Sequence, residues 1–427
     1  LNSFSSSVRF DTLGCKLNFA ETSAISQNVE RKGFKLVQDP FPARYYVINT
    51  CSVTENADQK CKKLIRDFKK ISPESKVIII GCYAQLKPEE INILEGVDLV
   101  LGAGDKFRLA EYLIGFEDEN PIKPYYELAE RFDEFHPAYS IGERTRAFLK
   151  VQDGCDYSCS FCTIPLARGK SRNGTIYDLA QSAREIGSKG VQEIVLTGVN
   201  IGDFGRTTGE SFYNLVQELD KVKEINRFRI SSIEPNLLSS DIIHLVSESQ
   251  RFMPHFHIPL QSGSNHILGL MRRRYRSETY QAKIEEILER IPFAGIGVDV
   301  IVGFPGETDE EFEKTYHFLS SLPVSYLHVF SYSERANTLA KSMPGKVSPS
   351  KKSERSKVLH ALSVDKTNKF RSKNTSRVWP VLFERAPKDG YMQGFTPNYI
   401  KVEVPYNKEW TNRIIPVAIN EIPSICI

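Results

Sequence analysis

Long apolar runs are missing from this 427-residue sequence. The most apolar stretches, at 77–80 and 298–304, fall far short of the roughly 18–20 residues that a membrane-spanning helix needs. No membrane partner is therefore expected. The opening residues 1–7 carry neither the charged nor the apolar region of a secretory leader. Cysteine is scarce, eight in the whole chain, which is too thin for a disulfide scaffold of this length. The expected compartment is the reducing cytoplasm, where clustered cysteines serve as metal ligands more often than as disulfides. Disorder throughout is excluded by 25 Phe and 18 Tyr in a chain that is 41% hydrophobic. Net charge is nearly absent too, at +3, but it is unevenly spread. Residues 341–377 hold eleven Lys and Arg against two acids, a segment of +9 that leaves −6 for the rest. Such a stripe hints at a polyanionic partner, although taken alone it reads better as a solvated helix face.

The cysteines are Cys15, Cys51, Cys61, Cys82, Cys155, Cys159, Cys162 and Cys426. Cys155-Asp-Tyr-Ser-Cys159-Ser-Phe-Cys162 puts three thiols in one loop. A structural zinc site would need a fourth Cys or His, and none lies nearby. An iron–sulfur cluster normally takes four Cys; three leave one iron open, as chemistry at the metal requires. CxxxCxxC with an aromatic before the last Cys is the spacing of the radical S-adenosylmethionine enzymes. Cys15, Cys51 and Cys82 are far apart in sequence but close similar strand-like runs, at 9–15, 45–51 and 76–82. Helical patterns follow at 19–33, 55–72 and 87–95. Alternating strands and helices imply a parallel, helix-covered sheet, whose sites form outside the carboxyl ends of the strands. Three cysteines at three equivalent strand ends could therefore converge into a second three-cysteine cluster. Each alone would be read as a buried core thiol; the shared position favours ligands. Cys61, inside the helix after Cys51, and the penultimate Cys426 are read as structural or incidental.

The chain divides into an N-terminal α/β domain (1–116), an acidic, aromatic linker (117–145), a second β-α series (146–375) and a small all-β domain (376–427). The second series offers strands at 146–153, 193–200, 227–234, 255–261, 295–304 and 325–332. Helices fall at 176–189, 212–223, 239–249, 277–291 and 308–322, and a long one near 350–373. Six strand–helix units argue for a partial (β/α)6 barrel, two short of a complete one, with functional groups at the C-terminal strand ends. The CxxxCxxC loop follows the first strand and lands on that face. So do four polar, Gly-containing loops, at 197–202, 231–235, 260–264 and 303–308; together they suggest a ligand pocket. Met271-Arg272-Arg273-Arg274-Tyr275-Arg276 follows the fourth strand on the same face. Arginines there suit phosphates and a stacked base, whereas at a helix start they oppose the macrodipole.

The whole chain resembles the methylthiotransferases, a radical S-adenosylmethionine family. The motifs are Thr12-Leu-Gly-Cys-Lys-Leu-Asn18, Asn49-Thr-Cys-Ser-Val-Thr54, Gly81-Cys-Tyr-Ala84 and Asp153-Gly-Cys-Asp-Tyr-Ser-Cys-Ser-Phe-Cys-Thr-Ile-Pro165. Within the family, Leu-Gly-Cys-Lys-Leu-Asn is most like the branch acting on N6-threonylcarbamoyladenosine in tRNA. The resemblance implies a C-terminal TRAM domain and two [4Fe–4S] clusters. One would be held by Cys155, Cys159 and Cys162, with S-adenosyl-L-methionine at its open iron; an auxiliary one would be held by Cys15, Cys51 and Cys82. The reaction would add a methylthio group at C2 of the modified adenosine 3′ of the anticodon. Thr197, Gly198, Asn200, Glu234, Gln261 and Ser262 would position S-adenosylmethionine, and Arg272, Arg273, Arg274 and Arg276 would meet the substrate. The implied partners are the tRNA anticodon stem-loop and a one-electron donor such as a flavodoxin, with the enzyme acting as a monomer.

Two other readings stand beside this one. A methylthiotransferase acting on a ribosomal-protein aspartate would share the motifs, but the basic segment and Met271–Arg276 weigh against it. A non-enzymatic iron–sulfur carrier or RNA-binding module would ligate its cluster with four Cys, whereas both sites here offer three.

Overall fold

The computed structural model describes residues 6–51, 55–124, 127–142, 145–375, 377–385 and 389–419. Cys426, Tyr125, Tyr126 and the Ser52–Thr54 part of the second motif lie outside the described residues. The N-terminal domain is a five-stranded, all-parallel sheet in the order Lys35–Leu36, Ser7–Thr12, Tyr45–Thr50, Lys76–Gly81, Leu99–Leu101. Its central strand Tyr45–Thr50 is buried at every position, and Lys76–Gly81 at all but the first, as expected for apolar strands covered on both faces. Helix Lys16–Arg31 packs on the sheet through the i, i+4 stripe Leu17, Glu21, Ile25 and Val29, an apolar stripe with a glutamate inside it. Where one helix was expected over 87–95, there are two short ones, Cys82–Leu86 and Pro88–Asn92. Pro88 cannot continue a helix in its interior but can begin one.

The second domain is the open barrel. Strands Arg146–Lys150, Glu193–Thr197 and Arg227–Ile230 pair in parallel, as do His255–His257, Gly295–Val302 and Tyr326–Ser331. Parallel bridges Phe228–Phe252 and Ser232–His257 join the two halves. Five of the six strands begin where the sequence places them, but most end earlier, because their last residues turn out into the loops of the upper rim. Side chains alternate across the wall. Ile194, Leu196, Phe228, Ile230, Ile296, Val298 and Val300 pack outward on the helices, while Glu193, Arg227, Arg229, His255, His257 and Asp299 face the lumen. Helix starts are set by Thr175, Ser211, Ser239, Thr308 and Ser348, each of whose side chains accepts from the backbone N–H three residues on.

The expected linker wraps the junction and adds an edge to the barrel. Ser140 N–H donates to the Phe148 carbonyl (3.0 Å) and Lys150 N–H to that of Ala138 (2.9 Å). The C-terminal strands Lys401–Pro405, Tyr391–Phe395, Val378–Phe383 and Ile414–Ala418 form an antiparallel sheet in that order. This sheet closes the barrel floor, at the amino ends of the barrel strands. Arg229 donates to the Pro397 carbonyl (2.9 Å), Arg227 to that of Phe395 (3.1 Å), and Asn398 to that of Phe293 (2.9 Å). No helix among the described residues is long and apolar enough to cross a membrane.

Candidate functional site

The CxxxCxxC loop is a closed excursion from the first barrel strand. Its ends are zipped by antiparallel pairing of Gln152–Asp153 with Arg172–Asn173. Gly154 makes that closure possible: its φ is +70°, and a Cβ there would lie 1.9 Å from the Lys170 carbonyl oxygen. The loop is pinned to the opposite side of the rim through Ser160, whose N–H and hydroxyl donate to the carbonyls of Met271 (3.2 Å) and Leu270 (2.8 Å). Cys155, Cys159 and Cys162 lie within electrostatic reach of one another. Burial pushes the Cys155 thiol up to about 12 and the Cys162 thiol up to about 11.

The other cysteines do converge. Thr12 pairs with Asn49, and Thr50 with Gly81, so Cys51 and Cys82 follow directly from paired residues. Gly14 (φ +115°) presses the loop carrying Cys15 against Cys51: a Cβ on it would lie 2.4 Å from the Cys51 Cβ. Cys15 and Cys82 lie within electrostatic reach of each other. Cys15 caps helix Lys16–Arg31, while Cys82 opens helix Cys82–Leu86. Cys61 is fully buried among Tyr46, Ile65 and Phe68, away from this group.

The spacing tells against a single metal ion at either place. Three thiolates on one zinc, at about 2.3 Å each, would sit under about 4 Å apart. Among the described residues, the one group of three His, Cys, Asp or Glu with donor atoms within 4.8 Å of one another is His257, Asp299 and His328. Neither cysteine triad is that tight, as suits a multi-iron cluster.

A buried ionic network joins the two triads, and sequence reasoning missed it. Arg168, six residues past Cys162 at the end of helix Ile164–Arg168, crosses into the N-terminal domain. It donates to Glu21 (3.0 Å from each of two nitrogens), Asp153 (3.0 Å) and Asn18 Oδ1 (2.9 Å). The Cys15 thiol points at the same Asn18 oxygen (3.7 Å). Lys106 (2.6 Å) and Lys150 (3.0 Å) also pair with Glu21, and Lys150 (2.7 Å) and Arg172 (3.1 Å) with Asp153. Four cations thus share two carboxylates, and no member's side chain is more than 11% exposed. Buried charge of one sign calls for a counter-charge, and Arg168 and Lys106 both lie within electrostatic reach of Cys82 in the N-terminal triad. Nothing in the sequence pairs Glu21 with residues more than eighty positions away; the one local signal is a glutamate inside an apolar helix stripe.

The expected S-adenosylmethionine residues fall in three places. Asn200 and Glu234 stand on the upper rim beside the cysteine loop, and each has a buried oxygen without a hydrogen-bond donor among the described residues: Asn200 Oδ1 and Glu234 Oε2. Burial raises the Glu234 carboxyl, with Arg273 opposing. Two orphaned acceptors beside a three-thiol loop fit a cofactor bearing ammonium and hydroxyl donors. Gln261 takes a left-handed backbone conformation (φ +69°) at the rim. Thr197 and Gly198 stand at the carboxyl end of strand Glu193–Thr197, with Gly198 packed on Gln152 and Ile201. Ser262 is placed elsewhere: it is fully buried, 3.0 Å from the Thr315 hydroxyl, and holds helix Asp309–Ser321 in place.

The arginines are also sorted by the fold. Arg273 is committed: it donates to Glu234 (2.6 Å), to the Tyr275 hydroxyl (3.1 Å) and to the Cys159 sulfur (3.4 Å). Arg274 lies 3.7 Å from the Tyr157 ring centroid. Arg272 and Arg276 are exposed, Arg276 as the N-cap of helix Ser277–Arg290.

A family model described as the Radical SAM superfamily matches residues 149–319, and one described as uncharacterized protein family UPF0004 matches residues 7–102. The threonylcarbamoyladenosine tRNA methylthiotransferase MtaB of Bacillus subtilis is 37% identical over 422 residues, 96% of this chain and 93% of that protein. The protein of the same name from Aquifex aeolicus is 37% identical over 372 residues, 87% and 91% of the two chains. The tRNA-2-methylthio-N(6)-dimethylallyladenosine synthase of Syntrophus aciditrophicus is 32% identical over 405 residues, 92% and 84%. Among solved structures, the radical S-adenosylmethionine methyltransferase TsrM from Kitasatospora setae superposes with a TM-score of 0.59 at 13% identity. The match covers 79% of this chain and 74% of that one, and it is a likeness of fold alone.

Proposed function

This chain belongs to the radical S-adenosylmethionine methylthiotransferases, and from that premise we propose how its residues divide the work of methylthiolating tRNA. The substrate is N6-threonylcarbamoyladenosine, and the product carries a methylthio group at C2 of the adenine. Four relatives named for that substrate, at 34–37% identity, stand above those named for the dimethylallyl nucleoside, at 28–32%. When bound, S-adenosylmethionine and the [4Fe–4S] clusters supply the radical hydrogen abstraction at C2, the sulfur and the methyl group.

The protein's part is placement. Cys155, Cys159 and Cys162 hold one cluster, and Cys15, Cys51 and Cys82 the other. Asn200 Oδ1 and Glu234 Oε2 accept hydrogen bonds from S-adenosylmethionine, and Gln261, Thr197 and Gly198 line the rim around it. Arg273 fixes the Glu234 carboxylate and donates to the sulfur of a cluster cysteine. The exposed Arg272, Arg274 and Arg276 meet backbone phosphates at the barrel mouth. The C-terminal sheet, read as a TRAM domain, and the basic helix Pro349–Ser372 contact the anticodon arm. A small one-electron carrier such as a flavodoxin supplies the electron, and the enzyme works as a cytoplasmic monomer.

The observation that carries this reading is the pairing of two three-cysteine sites through one side chain, Arg168, which leads from the radical loop to Asn18 beside Cys15. The test is mass spectrometry of tRNA nucleosides from cells with and without this gene. Loss of the 2-methylthio derivative of N6-threonylcarbamoyladenosine, with accumulation of its unthiolated parent, is the expected result. An unchanged nucleoside profile would refute it.

A further inference from the structure

One cation inside the barrel lacks a counter-ion and takes no part in either cysteine site. Lys16 follows Cys15 at the head of helix Lys16–Arg31. That helix lies against the lumen side of the barrel wall, where Phe19 and Ala20 pack with the inward-facing Phe148 and Val195. The Lys16 ammonium lies within electrostatic reach of Arg146, Arg229, His255, Asp299 and Tyr399. All of these belong to the inner wall or the floor, so the side chain reaches from the cysteine rim down into the lumen. It is ringed by protein yet accessible to water, so it lines an open space and is not packed into the core. The groups around it already have other partners. Arg229 pairs with Glu193 (3.1 Å) and Arg146 with Glu384 (2.9 Å); Asp299 is paired with His257 (2.8 Å) and His328 (3.3 Å). Among the described residues, the Lys16 ammonium makes no ion pair or hydrogen bond.

We propose that Lys16 reads the carboxylate on the N6 side chain of the substrate adenosine, and that the lumen beneath it, lined by His328, Asp299 and Tyr399, receives the rest of that side chain. The inference rests on the substrate assigned above, whose base carries one carboxylate, one hydroxyl and a ureido group. A cleft lined by an ammonium without a partner, with Arg146 and Arg229 nearby, concentrates positive potential and favours an anionic ligand. Adenine C2 and C6 flank N1 in one ring, so a base presenting C2 to the rim at Cys15 has its N6 substituent close to Lys16. The arginines at the mouth are poorly placed to read that carboxylate, because Arg273 is held by Glu234, and Arg272, Arg274 and Arg276 face solvent. The His–Asp–His group brings hydrogen-bonding partners for a hydroxyl and a ureido carbonyl to the same wall.

The experiment uses the iron-loaded enzyme and three anticodon stem-loop RNAs carrying the threonylcarbamoyl group, its primary carboxamide, or unmodified adenosine. The carboxamide removes the charge with little change in shape. The wild-type enzyme should bind the acid at least about tenfold more tightly than the amide, the scale of one charge-assisted hydrogen bond. Lys16→Met should bind both with the affinity the wild type has for the amide, and Lys16→Arg should keep the preference. Iron content near the wild-type value separates this loss from damage at the neighbouring Cys15; if Lys16→Met loses iron, Lys16→Gln is judged by the same ratio. A Lys16 variant that keeps the wild-type acid-to-amide ratio overturns the proposal. So does a wild type that binds acid and amide equally, even if it turns over the acid. Failure of the wild type to methylthiolate the acid RNA at all would instead overturn the substrate assignment.

Discussion

Glu21 is the anion that ties the N-terminal domain to the barrel, and its removal tests the buried network. Its carboxylate, fully buried, accepts from Lys106 (2.6 Å), Lys150 (3.0 Å) and two nitrogens of Arg168 (3.0 Å each). Glu21→Gln keeps the shape and removes the charge, leaving Lys106, Lys150, Arg168 and Arg172 with Asp153 as the network's one carboxylate. Breaking a buried pair from one side costs about 3–5 kcal/mol, against about 5–15 kcal/mol for the whole stability of a domain. A loss of that size is expected in urea unfolding at pH 7. Burial alone would raise the Glu21 carboxyl, but Arg168, Lys106 and Lys150 outweigh it and hold it well below the usual range. The native form therefore stays ionised where the unfolded chain, titrating near pH ~4.3, takes up a proton. Glu21 stabilises the fold above that pH, and its contribution is lost as the pH falls towards the depressed native value. Glu21→Gln should accordingly show a shallower decline between about pH 5 and pH 3 than the wild type. Lys106 pairs in this network with Glu21 alone, so Lys106→Met added to Glu21→Gln should cost less, by more than about 1 kcal/mol, than in the wild type. Additivity within about 0.5 kcal/mol would refute the network as drawn.

Anaerobic reconstitution should give about eight irons per chain, and alanines at Cys155, Cys159 and Cys162 should leave about four with no cleavage of S-adenosylmethionine; wild-type iron in that variant would contradict two separate sites. Alanines at Cys15, Cys51 and Cys82 should abolish methylthiolation yet preserve cleavage to 5′-deoxyadenosine, while full methylthiolated product would remove those cysteines from the reaction. Gly154→Ala drives a Cβ into the Lys170 carbonyl and should lose the barrel iron while keeping the auxiliary iron, so an unchanged iron content would show that the loop can yield. Arg273→Met leaves Glu234 buried without its cation and should weaken S-adenosylmethionine binding about tenfold or more, measured by equilibrium dialysis; an unchanged dissociation constant would count against Glu234 as a cofactor contact.

The repeat of strand and helix was legible because both periods are written in local sequence. Tyr45–Thr50 and Lys76–Gly81 read as covered parallel strands, and Thr175, Ser211 and Thr308 announce their helices by capping. The convergence of Cys15, Cys51 and Cys82 followed from topology alone, since parallel strands in register bring their carboxyl ends together. Pairings between domains were not legible. Glu21 with Arg168, Asp58 with Arg335 and Arg229 with the Pro397 carbonyl depend on how separately folded layers dock, and no local pattern encodes that. Ser262 misled for a related reason. A Ser in a polar rim loop reads as a ligand contact, but its hydroxyl turned inward to Thr315.

The basic stretch shows why a charge count overstates a polyanion site. Arg355 is buried against Glu307 (2.7 Å), and Lys366 caps the Leu322 carbonyl (2.7 Å). Lys346, Lys351 and Lys369 are paired with Glu334, Asp309 and Asp365. Lys341, Lys357 and Lys373 remain exposed and without an acidic partner among the described residues. Both readings of the segment thus hold: Arg355 and Lys366 anchor helix Pro349–Ser372 to the barrel, while a few exposed cations on and around the helix are left for solvent or phosphate. A few cations are too few to dominate tRNA binding by counterion release, since that term scales with the number of phosphates neutralised. On the proposed reading, the grip on tRNA is shared with the exposed Arg272, Arg274 and Arg276 at the mouth. On the Lys16 proposal, discrimination among nucleosides comes from inside the barrel, where a lysine without an ion pair meets a base carrying a single carboxylate.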